Sequence, residues 1–270
     1  MSRALHNIYG RKLWIDHNEF VGSKKGFVSG SGGKQFSVPS PFRAVLFDDF
    51  TGDTLDTNTW LSAEGTDSAT SVGAVLAGGI GGVVRLTSGD AGTGEAADAI
   101  TLNGHLAWQA SNGGLALQTR IKVDTITNVM IFVGFTDVAT GVEAPFTLSG
   151  TTFTSNASDA VGFLFDTGAT TDTWRLVGVK GDTDATAQDT SAAPVADDYE
   201  TLRVEVTTDG DAVFYRNGLQ VGSLMSDAIT AATDVCPIIY WSNLSGTTSR
   251  LMDVDYIHVE MDRAADGGVA

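Results

Sequence analysis

Apolar and polar residues alternate over short stretches along most of the chain, and clusters of Gly, Asn, Asp, Ser and Thr separate these stretches. A period of two is typical of half-buried β-strands, and the clusters are typical of turns. The clearest case is 200–207, where Leu202, Val204 and Val206 alternate with polar or charged residues. Ten segments are predicted as strands: 44–50, 82–87, 114–123, 129–136, 160–165, 173–179, 200–207, 211–216, 235–242 and 251–261.

Two dipeptides predict tight turns between neighbouring strands. Asp209-Gly210 follows one predicted strand and Asn217-Gly218 follows the next, and both tolerate the positive φ angles of hairpin turns. No segment has a convincing helical pattern. We therefore predict an all-β fold, a two-sheet antiparallel jelly-roll sandwich over residues 44–262. An extended N-terminal arm at 1–43 precedes the sandwich, and a short C-terminal tail at 263–270 follows it.

The net charge of the chain changes sign at the boundary between the N-terminal arm and the predicted sandwich. The 270 residues carry a net charge of −17, but residues 1–43 hold seven basic and two acidic residues, net +5. The rest holds nine basic and 31 acidic residues, net −22. This balance argues against nucleic acid or an anionic membrane as the main partner. No apolar run approaches the ~20 residues of a spanning helix, the N-terminus lacks a signal-peptide pattern, and the single Cys236 excludes an internal disulfide.

The N-terminal arm combines features of a tether with many large apolar residues. The Gly-Ser stretch 29–33 favours flexibility, and Pro39 and Pro41 favour an extended exit. A segment with this many apolar residues either packs on its own body or reaches a neighbouring subunit or a larger assembly. For the second case, apolar anchors would supply affinity and basic residues would set register and salt sensitivity. The predicted partner-binding residues are Arg11, Lys12, Trp14, Ile15, Phe20, Lys24, Lys25 and Phe27.

Four pieces of the body resemble concanavalin A-like jelly rolls of the laminarinase and laminin-G type. Residues 47–56 through Trp60 resemble the opening strand and turn, and 117–122 resemble the strand that follows. The hairpin 202–218 is similar to one shared with laminin-G-like and lectin domains, and 252–259 resembles the closing strand. The pieces occur in the family's order and bracket nearly all of 44–262.

The sequence lacks the catalytic motif of the family's retaining glucanases. Those enzymes carry a Glu-x-Asp-x-(x)-Glu strand in mid-chain, and retaining hydrolysis needs two carboxyl groups about 5 Å apart. The corresponding region here has only Asp159 and Asp166, seven residues apart with apolar residues or Gly between them. Glu260-Met261-Asp262 has no second Glu after it. From this we expect a protein that is not an enzyme and has no catalytic residue.

Metal and stacking sites have weaker signals. Residues 182–189 have the alternating oxygens of a calcium loop but lack its Gly and terminal Glu, which favours a solvated acidic loop. The resemblance implies that a structural calcium, if bound, would lie nearest Asp48 and Asp255, and we otherwise expect no cofactor or metal. The four His residues lack zinc-site spacing. Trp174 and Trp241 are interpreted as core, whereas Trp108 in a Gly-flanked stretch is the candidate for stacking on a glycan.

Three functions remain open at this point. The first is a non-enzymatic virion structural protein: a decoration or cement protein on the capsid surface of a bacteriophage, a homo-oligomer such as a trimer, bound by its arm to the major capsid protein. Residues 160–166 and 173–180 also resemble jelly-roll proteins of tailed phages. The second is a carbohydrate-binding, lectin-like module. The third is a divergent glycoside hydrolase.

Overall fold

The computed structural model describes residues 3–8, 11–16, 27–29, 35–37, 43–67, 72–78, 81–90 and 96–263, the first four stretches by their backbone course alone. Contacts divide the chain into two units, residues 1–45 with 262–270, and residues 46–261. Among the described residues, no helix has the length and apolar character needed to cross a membrane.

The N-terminal unit contains two antiparallel β-ribbons. Strand β1 (Arg3–Ile8) pairs with β2 (Arg11–Asp16), and β3 (Phe27–Ser29) pairs with β4 (Gln35–Ser37). Near the end of this unit, the guanidinium of Arg43 lies 3.5 Å from the Asp262 carboxylate.

The remaining strands build the body. In chain order they are β5 (Arg43–Asp48), β6 (Leu61–Glu64), β7 (Val72–Val75), β8 (Val84–Thr87), β9 (Ala99–Asn103), β10 (Leu115–Val123), β11 (Val129–Thr136), β12 (Phe146–Ser149), β13 (Thr152–Ser155), β14 (Asp159–Asp166), β15 (Arg175–Lys180), β16 (Thr183–Asp184), β17 (Gln188–Asp189), β18 (Glu200–Val206), β19 (Ala212–Arg216), β20 (Leu219–Met225), β21 (Cys236–Asn243) and β22 (Leu251–Asp262). One 3₁₀ turn, Ala110–Asn112, precedes β10.

Two large antiparallel sheets form a sandwich. The front sheet has the order β20-β19-β18-β10-β22-β8-β7, and β5 also pairs with β22. The back sheet has the order β16-β15-β14-β11-β21-β9-β6, and β17 also pairs with β15. Neighbouring strands are therefore often distant in sequence, and the all-β sandwich predicted from the residue pattern is confirmed.

The main core lies between the sheets. On β18, Leu202, Val204 and Val206 are buried while the alternate residues are half-exposed, as the period-two pattern predicts. The rings of Phe163 on β14 and Phe214 on β19 meet edge to face with centroids 5.5 Å apart, which joins the two sheets directly. Trp174 and Trp241 are fully buried, which confirms their interpretation as core residues.

A second core covers the outer side of the back sheet. Residues 137–158 cross this side, and their hairpin β12–β13 places Phe146 and Leu148 in a buried apolar cluster with residues of β11, β14, β15 and β21. The rings of Phe146 and Phe132 lie 5.8 Å apart. As a result, all eight residues of β14 are buried, as are all eight of β11. The strand that the resemblance aligns with the catalytic strand of glucanases has no open face here.

Every one of the ten predicted segments contains a strand, and the predicted hairpin turns are present. Asn217 and Gly218 have φ angles of 52° and 79°, the left-handed values that a two-residue hairpin loop requires. The strands missed by the pattern are mostly short or rich in small and polar residues, for example β6, β13 and β16. Such segments gain their strand conformation from pairing with neighbours rather than from their own pattern.

Candidate functional site

The outer side of the front sheet, here called the front face, is not covered by any other part of residues 46–261 that the structure describes. Strand register places polar residues of three central strands side by side on it. Gln118 on β10 lies between Arg203 on β18 and His258 on β22, and Arg120 lies between Thr201 and Tyr256. These residues are all half-exposed, so they are available to a ligand.

An exposed aromatic group stands at one side of the front face. The Phe47 side chain is 58% exposed, and its ring lies 6.0 Å from that of Tyr256 and 6.1 Å from that of His258. The Tyr256 hydroxyl accepts a hydrogen bond of 2.7 Å from the Gln118 amide. Neighbouring rings and this hydrogen bond hold the aromatic cluster in place, while one ring stays open to solvent.

Ion pairs hold the charged residues of the front face. Arg203 donates to Glu205 at 2.6 Å and to Glu260 at 3.3 Å, and Arg120 lies 2.8 Å from Asp255. Glu205 and Glu260 each lie opposite Ala116, whose small side chain leaves room for the arginine between them. The acidic and basic groups of this face therefore largely neutralise each other.

Asp253 joins three strands of the same sheet. Its carboxylate accepts two hydrogen bonds from Arg85 on β8, at 2.7 and 3.0 Å, and lies 3.2 Å from the Lys122 ammonium on β10. Burial alone would raise the pKa of Asp253, but the hydrogen bonds and positive charges of Arg85 and Lys122 outweigh it and hold the pKa below its usual value.

Two grooves open on the front face. The front groove has a volume of about 610 Å³ and is lined by Gln118, Thr201, Arg203, Glu205, Tyr215, Asn217, Gly218 and Tyr256. The side groove has a volume of about 390 Å³ and is lined by Arg120, Val195, Asp197, Asp198, Tyr199, Glu200, Arg216 and Asn217. Both volumes fall in the range of small-molecule sites, and both grooves combine aromatic rings with hydrogen-bonding groups.

Cationic groups hold the aromatic ring of the side groove. The Arg120 guanidinium carbon lies 4.1 Å from the centre of the Tyr199 ring, and the Lys122 ammonium lies 5.1 Å from it. Burial raises the pKa of the Tyr199 hydroxyl above its usual value, so the phenol is neutral at pH 7 and can donate a hydrogen bond.

A buried carboxylate forms the floor of the side groove. Glu200 is 6% exposed and accepts hydrogen bonds from the Trp174 indole at 3.1 Å and the Arg216 guanidinium at 2.5 Å. Arg216 also donates to the Ala193 carbonyl at 2.7 Å, which ties the loop before β18 to β19. Burial raises the pKa of Glu200, although the bonds from Arg216 and Trp174 offset part of this effect.

The structure corrects the sequence prediction for Trp108. The sequence made it the candidate for an exposed ring that stacks on a glycan, but the residue is only 7% exposed and belongs to the core, and its backbone forms a bridge with Val235. Phe47 provides the exposed ring instead. The sequence carried a partial signal for this site, since Tyr256, His258 and Glu260 alternate with apolar residues on one strand.

The two aspartates of the predicted glucanase region have structural roles. Asp166 accepts hydrogen bonds from the backbone of Leu148 and Gly168, and burial raises its pKa. Asp159 accepts from the Thr230 backbone and the Thr233 hydroxyl. Each carboxylate fixes a loop to one end of β14, so the structure does not bring them together as a catalytic pair.

The residues considered for calcium have protein partners. Asp48 accepts from the Trp60 indole at 2.7 Å, and Asp255 pairs with Arg120. In the acidic loop 182–189, Asp189 pairs with Arg175 at 2.7 Å. Within the described ranges, no group of three or more His, Cys, Asp or Glu residues is placed to hold a metal ion.

The predicted partner-binding residues of the arm are not tested. The side chains of Arg11, Lys12, Trp14, Ile15, Phe20, Lys24, Lys25 and Phe27 all lie outside the part of the chain whose side chains the structure describes. Their roles stay predictions.

Comparison with known proteins identifies the fold. No family model matches the chain, and no curated protein matches it. A family 16 endo-glucanase from Bacteroides ovatus is 10% identical, with 79% of this chain and 99% of that chain covered and a TM-score of 0.54. A Bacillus licheniformis β-glucanase is 13% identical, with coverage of 80% and 97% and a TM-score of 0.53. A Shewanella oneidensis protein of unknown function is 15% identical, with coverage of 82% and 87% and a TM-score of 0.50.

These similarities define a concanavalin A-like jelly-roll fold of the kind found in family 16 glycoside hydrolases. They correct one expectation from the sequence. We expected a protein that is not an enzyme, because one catalytic motif was missing. Glycoside hydrolases recur among the structures that share this fold, so the fold occurs in enzymes, and the missing motif on β14 is not sufficient ground for excluding activity.

Proposed function

We propose that this protein binds a β-linked glucan on its front face. The observation that carries the proposal is the exposed Phe47 ring, whose centre lies 6.0 Å from that of Tyr256, a residue that lines the front groove. An aromatic face packs on the C–H groups of a pyranose ring, and amide, hydroxyl and guanidinium groups bond its hydroxyls. The front face holds these groups around a groove of suitable size, and the glucanases with the same fold act on such polymers.

Fixed side chains favour binding because little conformational entropy is then lost. Gln118 is bonded to Tyr256, and Arg203 is held by two carboxylates. The ligand would meet donors and acceptors that are already oriented. The charged groups of the front face are already paired with each other. A neutral sugar can therefore bind without stripping water from an unpaired charged side chain.

The direct test is affinity for laminarin and lichenan by titration calorimetry, comparing wild type with Phe47→Ala. We expect the variant to lose about tenfold or more in affinity, because an aromatic contact is worth roughly 1–3 kcal/mol when buried by a ligand. Leu106→Ala is the matched control, since Leu106 is 43% exposed and lines neither groove. Equal affinity of wild type and Phe47→Ala, or no binding of either glucan, would contradict the proposal.

Hydrolysis is a second activity to test on the same face. Because β14 is closed on both sides, we choose for this test two other carboxylates, Glu205 and Glu260 of the front face, which share Arg203. The measurement is the release of reducing ends from laminarin. If wild type releases them, and if Glu205→Gln and Glu260→Gln both lose this activity but still bind glucan, the result supports a hydrolase that uses these two carboxylates. Activity that survives both substitutions would place the chemistry elsewhere.

We also propose that residues 1–43 attach the body to a larger assembly, with the capsid surface of a virion and its major capsid protein as the partner. The supporting observation is that the unit boundary after Val45 nearly coincides with the change from net +5 to net −22. A chain lacking residues 1–42 should retain the folded body and its glucan affinity but lose sedimentation with particles. Full occupancy of particles by the truncated chain would refute this role.

A further inference from the structure

The front and side grooves meet at one residue. Asn217 lines both of them, and the outward residues of β10 pass from one groove to the other, with Gln118 in the front groove and Arg120 in the side groove. Residues two apart on a strand are separated by about 6.8 Å, so the grooves are neighbours on one face rather than separate sites.

The junction between the grooves is rigid. The Asn217 backbone N–H donates to the Thr201 carbonyl, and the Thr201 N–H donates to the Asn217 side-chain oxygen, both at 2.8 Å. Gly218 follows in a left-handed conformation and adds no side chain at the junction. The boundary shared by the two grooves therefore consists of hydrogen-bonded backbone and the short Asn217 amide.

The side groove has its own recognition groups. Tyr199 presents an aromatic ring held by Arg120, and Asp197 and Asp198 supply carboxylates at the wall. Val195 is 56% exposed at the same wall and adds an apolar surface. Like the front groove, the smaller side groove therefore combines an aromatic ring with groups that can bind the hydroxyls of a sugar.

From this continuity we infer that the side groove is a second binding subsite, joined to the front groove across Asn217, and that the ligand is an oligosaccharide chain long enough to occupy both. The inference rests on the proposed glucan binding. It adds that the length of the oligosaccharide, as well as its sugar type, determines affinity. It also adds Tyr199 and Val195 to the residues that bind the glucan.

The test is the affinity of the full chain for a disaccharide, a tetrasaccharide and a hexasaccharide prepared from laminarin or lichenan. We expect affinity to rise about tenfold or more with length and to level off once both grooves are filled. Val195→Arg places a long side chain in the side groove from an exposed position and should not disturb the core. It should reduce hexasaccharide affinity to that of the short ligand and leave the short ligand unaffected, whereas Phe47→Ala should weaken all three.

The outcomes separate the two proposals. If the disaccharide and hexasaccharide bind equally, or if Val195→Arg leaves hexasaccharide affinity unchanged, the second subsite is refuted while glucan binding stands. If none of the three ligands binds wild type, the proposed function fails and the second subsite fails with it. Tyr199→Ala provides an independent check, because it should follow Val195→Arg and weaken only the longer ligands.

Discussion

Asp253 shows how a single residue supports the front face. Its side chain is 5% exposed, and it accepts hydrogen bonds from two cations on the strands that flank β22. A buried carboxylate is stable only when such partners compensate for the lost hydration. The same contacts fix Arg85 and Lys122, and Lys122 in turn lies over Tyr199 of the side groove.

We expect Asp253→Asn to lower the free energy of unfolding by about 1–3 kcal/mol at pH 7. Because the pKa of Asp253 is lowered in the folded state, its contribution is complete above the usual carboxyl value of 3.8 and is lost as pH falls through the folded pKa. The difference between wild type and variant should therefore shrink as pH falls below that value. Urea unfolding followed between pH 7 and pH 3 measures it.

Asp227→Asn is the matched control for Asp253→Asn. Asp227 pairs with one cation, Lys180, and its side chain is 73% exposed. Exposed pairs are screened by solvent and contribute little to stability, so we expect no measurable change. A similar effect of both substitutions would contradict the role assigned to burial at Asp253.

At the scale of elements, the hairpin β12–β13 decides which sheet can meet a ligand. It buries the outer side of the back sheet, and the Asp166 carboxylate fixes it through the Leu148 backbone. Side-chain to backbone bonds extend the attachment along the segment, from Thr101 to the Gly141 carbonyl and from Asn103 to the Ala139 carbonyl. With the back sheet closed, the front face is the open sheet surface of residues 46–261 in the described structure.

Phe146→Ala should destabilise the body by about 3–5 kcal/mol, because it removes a buried ring from the second core and leaves a cavity against Phe132. Thermal unfolding monitored by calorimetry is the measurement. Phe153→Ala, in the partner strand of the same hairpin but only partly buried, should cost clearly less. Equal and small effects of both would mean that residues 137–158 do not form part of the cooperative core.

At the scale of the whole molecule, charge is organised by unit. The body carries most of the acidic residues, which favours solubility through mutual repulsion of neighbouring copies. The front face departs from this trend, since Arg85, Arg120, Lys122 and Arg203 each pair with an acidic group there. A charge-balanced face on an acidic body suits a neutral ligand, whereas a basic N-terminal segment suits an acidic partner.

The two proposed functions therefore differ in their response to salt. Attachment through residues 1–43 should weaken as ionic strength rises, because salt screens the attraction between basic residues and an acidic partner, with a Debye length of about 10 Å in 0.1 M salt. Glucan binding on the front face should change little over the same range. Sedimentation with particles and glucan titration, each repeated at low and high salt, compare the two responses.

Much of the fold could be predicted from local pattern. The alternation at 200–207 and the dipeptides Asp209-Gly210 and Asn217-Gly218 predicted strands and turns that the structure contains. The candidate site was harder. Nothing in the composition of 137–158, which is rich in Thr and Ser, indicates that it covers a sheet, and the sequence marks Phe47 only through its resemblance to an opening strand.

The sequence by itself determined the strands, the turns and the division of charge, because side-chain alternation and turn conformation depend on residues a few positions apart. Only the tertiary structure decided which face of each sheet is covered and which residues meet. Gln118 and Tyr256 are 138 positions apart, and Arg85 and Asp253 are 168 apart. Such pairs form only when distant strands become neighbours, so the front face, its grooves and the exposure of Phe47 follow from packing.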